Sequence, residues 1–283
     1  MLLNNPKNTV QAAQLPIEKL RPFEGHPFKV TDDAEMEQLT WSILTQGLLT
    51  PITVRPIENN GYEVISGHRR LHACQKAGIE TVPALIYSLD RDAAAIALVD
   101  SNLHREKILP SERAFAYKLK LDAMNHQGRS SGQVVQKWTR DEIAEGESGR
   151  QVQRYIRLTE LIPELIQMVD DGKIALTPAV ELSYLNEWEQ RDLLETMLSE
   201  DCTPSLSQAI QMKSLSQSGN LDIYTIFDIL TQRKPNQQEK ISFKVSEIRE
   251  YFPRGYTAFQ MTCDILKGLE LLRQRREQNR DSR

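Results

Sequence analysis

The period of the apolar positions changes along the chain, and the changes divide it. Ile52-Thr53-Val54-Arg55 is strand-like, Glu58-Asn59-Asn60-Gly61 is a tight-turn signal, and Tyr62-Glu63-Val64-Ile65 alternates again. Together these predict a hairpin. From Gly67 to Ala77 the apolar residues Leu71, Cys74 and Ala77 recur at helical spacing, and Gly78 closes that helix. Val82-Pro83-Ala84-Leu85-Ile86-Tyr87 reads as another strand, so the helix lies between two strands in a βαβ-like unit. Upstream, Asp33 is placed to cap a helix from Ala34 to about Gln46 ended by Gly47, and Leu15 to Leu20 is read as a short first strand. Residues 1 to about 88 are therefore expected to form a small α/β unit.

Beyond Asp90 three- and four-residue spacing predicts helices near 91–104, 111–126 and 139–145. The polar stretch Gly128 to Gln133 reads as an exposed loop, and Ser214 to Asn220 as a linker into a C-terminal module. In that module Lys240 to Val245 alternates as a strand does. Glu247 to Tyr251 and a helix from about Thr257 to Arg276 follow, the latter striped by Ile265, Leu266, Leu269 and Leu272.

Composition narrows the class. With 283 residues, 40% hydrophobic and 26% charged, the chain is neither collagenous, low-complexity nor disordered. Lys plus Arg number 35 against 39 Asp plus Glu, a net charge of −4, so contact with a polyanion must be local. The tail from Lys267 is locally basic, with six cations against three acids. The longest apolar stretch, Ala93 to Val99, is far short of the roughly 18 residues of a membrane span, and the first five residues lack a secretory signal, so a cytoplasmic location is expected. Cys74, Cys202 and Cys263 contain no CxxC pair and read as reduced thiols.

Three segments carry chemistry. Ser66-Gly67 leads from a strand into His68-Arg69-Arg70 at a helix start, where free N–H groups, the helix dipole and two guanidiniums suit a phosphate. The bland alternative is a pair of solvated arginines, which the dipole would disfavour. In Asp100-Ser101-Asn102-Leu103-His104-Arg105-Glu106, Asn102 and a nearby carboxylate are of the type that holds hydrated magnesium, and Arg105 could touch phosphate. Caps and solvated charges are the alternative. Finally, Thr139-Arg140-Asp141-Glu142 is a capping box, followed after a tight turn by an acid-free helix from Arg150 to Leu158. Val152, Tyr155 and Ile156 share its inner face. Arg140, Ser148, Arg150, Gln151, Gln153, Arg154 and Arg157 are then the candidates for phosphate and base contacts, against a plain polar bundle surface.

The order and separation of three blocks, Ile65 to Ala73, Ser101 to Ala114 and Glu142 to Leu158, resemble the ParB/Spo0J partition proteins over about residues 14 to 210. The resemblance implies an α+β ParB/sulfiredoxin-like nucleotide-binding domain (1–105), an all-α helix-turn-helix domain that binds an inverted-repeat, centromere-like DNA site (106–213), and a small, mainly helical C-terminal module for dimerisation (214–283). It also implies CTP with Mg2+ as a clamp-closing ligand. Gly67, His68, Arg69 and Arg70 match the triphosphate block. Asn102 and Arg105 match the block that helps hold phosphates and metal, with Asn102 as metal ligand. His26-Pro27-Phe28 falls where the family lines the nucleotide pocket, although Gln-Pro-Arg is the more frequent sequence there. His68 and Ser101 each stand where the family commonly has glutamate, so hydrolysis is expected to be slow or absent. Only Glu145 lies between Ala144 and Gly146, where most members have about three residues, so the first helix must end early. The implied partners are double-stranded DNA, a second copy of the chain and a ParA-type ATPase, with no membrane, and the implied location is the nucleoid or a plasmid. A transcriptional regulator or nucleoid-occlusion factor of the same architecture is the first alternative. An enzyme on the same N-terminal fold, a nuclease or phosphotransferase, is the second.

Overall fold

The computed structural model describes residues 10–58, 60–105, 108–130, 147–232, 248–253 and 255–281. The chain divides into two units, 1–232 and 233–283.

The first unit opens with a five-stranded mixed sheet: β1 (Val10–Pro16), β2 (Leu20–Pro22), β3 (Ile52–Ile57), β4 (Gly61–Ser66) and β5 (Thr81–Tyr87), in the order β1-β5-β3-β4-β2. The expected hairpin is β3–β4, antiparallel, with Asn60 at φ +55° in the turn. The helix expected between two strands is α2 (His68–Lys76), which carries the chain from β4 to β5. Helix α1 (Ala34–Gln46) starts where Asp33 accepts the N–H of Met36 and ends at Gly47. The first strand departs from expectation. It pairs with β5 from Val10 to Pro16, the chain then turns through a 3-10 helix at Ile17–Lys19 with the Ile17 N–H on the Glu80 carbonyl, and Leu20–Pro22 pairs parallel with β4.

Alternation along β4 buries both faces of the sheet. Val64 faces a core of Ile52, Val54, Met36, Ile43, Leu71 and Cys74, which fixes α1 and α2 on that side. Ile65 faces Phe23, Phe28 and the almost entirely buried run Ala94–Val99 of α3 (Arg91–Asn102). Helix α4 (Pro110–Ser130) packs on α3 and runs straight through Gly128-Arg129-Ser130, where the sequence suggested a loop. The expected helix at 139–145 lies outside the described residues, as does Arg140.

A second core gathers Leu158, Leu165, Leu182, Leu193, Met212 and Ile226 from α5 (Gly149–Arg157) with its 3-10 extension, α6 (Pro163–Asp170), α7 (Leu176–Leu182), α8 (Glu187–Ser199), α9 (Leu206–Gln217) and α10 (Ile223–Thr231). The stretch expected to be a linker from Ser214 is instead the last turn of α9. Leu215 packs on this core, and the chain reverses only at Gly219, φ +71°. A local polar signal was overridden by the packing of one partly buried leucine.

The second unit contains a 3-10 turn at Arg249–Tyr251 and α11 (Ala258–Asp281). Leu266, Leu269 and Leu272 are exposed on α11 and Ile265 is half-buried. The strand expected at 240–245 lies outside the described residues. Among the described residues no helix is long and apolar enough to cross a membrane.

Candidate functional sites

Gly67 joins β4 to α2 with φ +103°, a left-handed value that disfavours any side chain, and a Cβ there would stand 2.9 Å from Ile52 Cγ2. The space beside this glycine is filled by the Ile52 side chain and the Arg70 guanidinium, so the turn from strand to helix closes only without a side chain here. His68, the first residue of α2, is buried, and its ring lies on that of His26 with centroids 3.7 Å apart. His26 in turn meets Phe28 edge-on at 5.7 Å, and the Arg105 guanidinium sits 5.5 Å from the Phe28 ring centroid. Burial is the main cause that holds His26 down at about 4 and His68 at about 3, followed for His68 by the neighbouring His26 ring, with the charge of Arg105 a smaller contribution to both, so both rings are neutral near pH 7. Burial also lowers Arg105 itself, against the opposing pull of Glu112.

Gly67, His68, Arg69 and Arg105 therefore share one neighbourhood with His26 and Phe28. Arg69 reaches across to α1, donating to Asp33 at 3.3 Å and Glu35 at 3.4 Å, both carboxylates being well exposed. An arriving anion can compete for such a solvated pair. Arg70 is held differently. Its Nη1 donates to the Thr50 and Pro51 carbonyls, each at 2.7 Å, which braces the entry to β3. Asn102, buried at the end of α3, donates Nδ2 to the Leu98 carbonyl at 2.8 Å and to Ser101 Oγ at 3.1 Å, which leaves Oδ1 as its acceptor for a ligand. The nearby carboxylate of Asp100 is already paired with buried Lys120 at 2.7 Å.

The described nucleic-acid candidates sit on α5 and at its N-cap. Ser148 caps it by accepting the Gln151 N–H, and Val152 is fully buried against Tyr117 of α4. Arg150 is exposed and Gln151 and Gln153 are partly so. Arg154 donates to Gln151 at 3.0 Å and to Thr177 of α7 at 2.6 Å, so its guanidinium is oriented along the outer face. Arg157 is not on the outside as the helical spacing suggested. It donates to Ser183 Oγ at 3.2 Å and to the Ser183 carbonyl, and stacks on Tyr184 at 4.1 Å, with Lys213 Nζ 3.7 Å from the same ring's centroid. The reason is that α7 lies beside α5 and offers an aromatic face and a helix C-terminus to a cation.

The groups that join these two sites fall in the block Ser101 to Ala114, but the sequence did not show what they contact. The first turn of α4 contacts three elements at once: Ser111 donates its N–H and hydroxyl to buried Asp170 of α6 at 2.9 and 2.5 Å. Glu112 accepts the Lys29 N–H at 2.7 Å, and Arg113 pairs with Glu147, just before α5, at 2.5 Å. Pro110 at the helix start was the visible signal; the long-range partners had none.

The ParB N-terminal domain model matches residues 3–103. The chain is 32% identical over 212 residues to the chromosome-partitioning protein Spo0J of Thermus thermophilus, covering 73% of this chain and 74% of that protein. The chain belongs to the ParB/Spo0J family. It is also 28% identical over 263 residues to a probable chromosome-partitioning protein ParB of Vibrio cholerae, covering 93% of this chain and 85% of that one. Against a nucleoid occlusion protein of Bacillus thuringiensis it is 29% identical over 255 residues, with 84% of each covered. Membership makes the α+β sheet unit the family's N-terminal domain and gives the helices after it a ParB/Spo0J setting.

Proposed function

We propose that the chain is a DNA-binding partition protein that acts as a homodimer on an inverted-repeat site, with α5 as the reading helix and CTP as a ligand at the β4–α2 junction. The observation that carries the DNA reading is the outer face of α5: Arg150, Gln151, Gln153 and Arg154 with no acid among them, on a helix anchored from behind by Val152. A single short helix reads few base pairs, so a specific site calls for two copies and a two-fold repeat. The exposed leucines of α11 are the surface offered to the second copy.

The residues at the β4–α2 junction fit a nucleotide triphosphate. The glycine is required by its backbone, the helix start contributes its dipole, and Arg69 and Arg105 supply charge. Magnesium would be met by Asn102 Oδ1 and by the phosphates themselves, since Asp100 is engaged by Lys120. When bound, the metal would neutralise triphosphate charge; the chain's own residues orient it. With Ser101 in place of a carboxylate, turnover is slow or absent, and a ParA-type ATPase is the expected protein partner.

A nucleoid-occlusion role is the second reading, favoured by the similarity to a protein so named. Selection of bound sequences from a random duplex pool, followed by anisotropy titration with and without CTP, tests the proposal. A two-fold consensus bound more tightly than random duplex is expected. Recovery of no consensus, or binding indifferent to Gln151→Ala and Arg154→Ala together, overturns it.

A further inference from the structure

His26 and His68 come from separate segments, the loop after β2 and the start of α2, and the contact of their rings, inclined by 36° with centroids 3.7 Å apart, makes them one feature. His68 is more than nine-tenths buried, one ring nitrogen bonds the Val64 backbone, and Nε2 has no partner. The carbonyl takes the ring's single N–H, so Nε2 is a bare lone pair in a buried place, an arrangement that costs stability if nothing ever meets it. A cation does not suit that lone pair, because the Arg105 guanidinium acts on both rings from the end of α3 and Arg69 lies beyond it. Among the described residues, Glu112 of α4 acts on Arg105 with the opposite sign, and it is already bonded to two backbone N–H groups. An anion changes the balance: it cancels Arg105 and offers an acceptor for a proton placed on a ring nitrogen.

Resting on the nucleotide reading above, we propose that the His26–His68 stack takes up a proton when a polyphosphate binds, so that the site recognises its ligand as an anion plus a proton. The balance is simple. One proton leaves solvent, adds to a ring nitrogen of the pair, and the resulting imidazolium donates to a phosphate oxygen; no bond of the ligand is broken. Without ligand both rings remain neutral well below pH 6, which follows from their burial beside Arg105. Binding then strengthens as pH falls, because the complex holds more protons than the free components.

The test uses the full chain. Long-range nitrogen–proton correlation spectra report the charge of each imidazole, assigned with His26→Phe and His68→Gln. At pH 6 both rings are expected to be neutral in the free protein and one to become charged on adding magnesium–CTP or tripolyphosphate. Calorimetry in two buffers of different ionisation enthalpy should give the wild type more proton uptake than His68→Gln, and its affinity should rise several-fold more between pH 7.5 and pH 6. Rings that stay neutral in a saturated complex overturn the proposal and leave the nucleotide reading standing. A wild-type chain that binds neither probe at any pH overturns both. Uptake with tripolyphosphate as large as with CTP assigns the effect to the phosphates.

Discussion

The carboxylate of Glu112 accepts the backbone N–H of Lys29 at 2.7 Å, tying the loop that carries His26 and Phe28 to the first turn of α4. The same carboxylate accepts the Leu109 N–H at 3.1 Å, and the Lys29 ammonium continues to Gln167 and Asp170 of α6. Glu112→Ala leaves two N–H groups without partners, and a loss of about 1–3 kcal/mol of stability is expected in chemical denaturation. Lys29→Ala removes the bond to Gln167 and an ion pair whose ammonium is half-exposed, and Asp170 keeps its bonds from Ser111, so a smaller loss of about 0–1 kcal/mol is expected. Equal losses in the two variants would refute the backbone tie.

Arg154 and Arg157 are expected to separate function from packing. Arg154→Ala should weaken specific DNA by about 1–3 kcal/mol if the guanidinium reaches a base, or weaken all duplexes alike and lower the salt slope by about one if it reaches phosphate. Arg157→Ala removes the stack on Tyr184 and the bonds to Ser183, so it should lower the melting temperature. Anisotropy across a salt series, with thermal melts alongside, checks both.

Acid should destabilise the fold through the histidine pair. Both folded values lie below the ordinary histidine value of 6.5, so the unfolded chain binds the extra protons. This contribution to stability is complete above about pH 6.5 and is lost as pH falls towards 4 and 3, at about 2 kcal/mol per ring by pH 5. The double variant His26→Phe, His68→Gln should lose less between pH 7 and pH 5 than the wild type. Parallel curves by denaturant titration would contradict the neutral stack.

Leu269→Asp places a charge in the exposed leucine row of α11. If that row joins two copies, sedimentation should shift from dimer to monomer at concentrations where the wild type is dimeric, with circular dichroism unchanged. A monomeric wild type would remove the row from the argument.

Local rules made much of the fold legible. Asp33, Gly47, Gly67 and Gly78 mark helix ends through capping and left-handed backbone, and these are short-range effects that a sequence displays directly. Leu215 and Ile17 misled because their conformations are set by partners far along the chain: the helical core for one, the Glu80 carbonyl for the other. The same holds at the sites. Gly67, His68, Arg69 and Arg105 were visible as a phosphate block, whereas the turning of Arg70 towards Thr50 and Pro51 and of Arg157 onto Tyr184 depends on neighbours that no spacing reveals.

Ser111, Glu112 and Arg113 are consecutive, yet each points to a different element, because successive helical residues are turned by about 100°. The segment is thus keyed by length as much as by chemistry. Conservative replacement of any one residue disturbs one contact. Deleting or inserting a single residue between Leu109 and Ser111 would swing all three away from their partners together, detaching the sheet loop, α6 and the approach to α5 in one stroke. Length at this point should be among the least negotiable features of the chain.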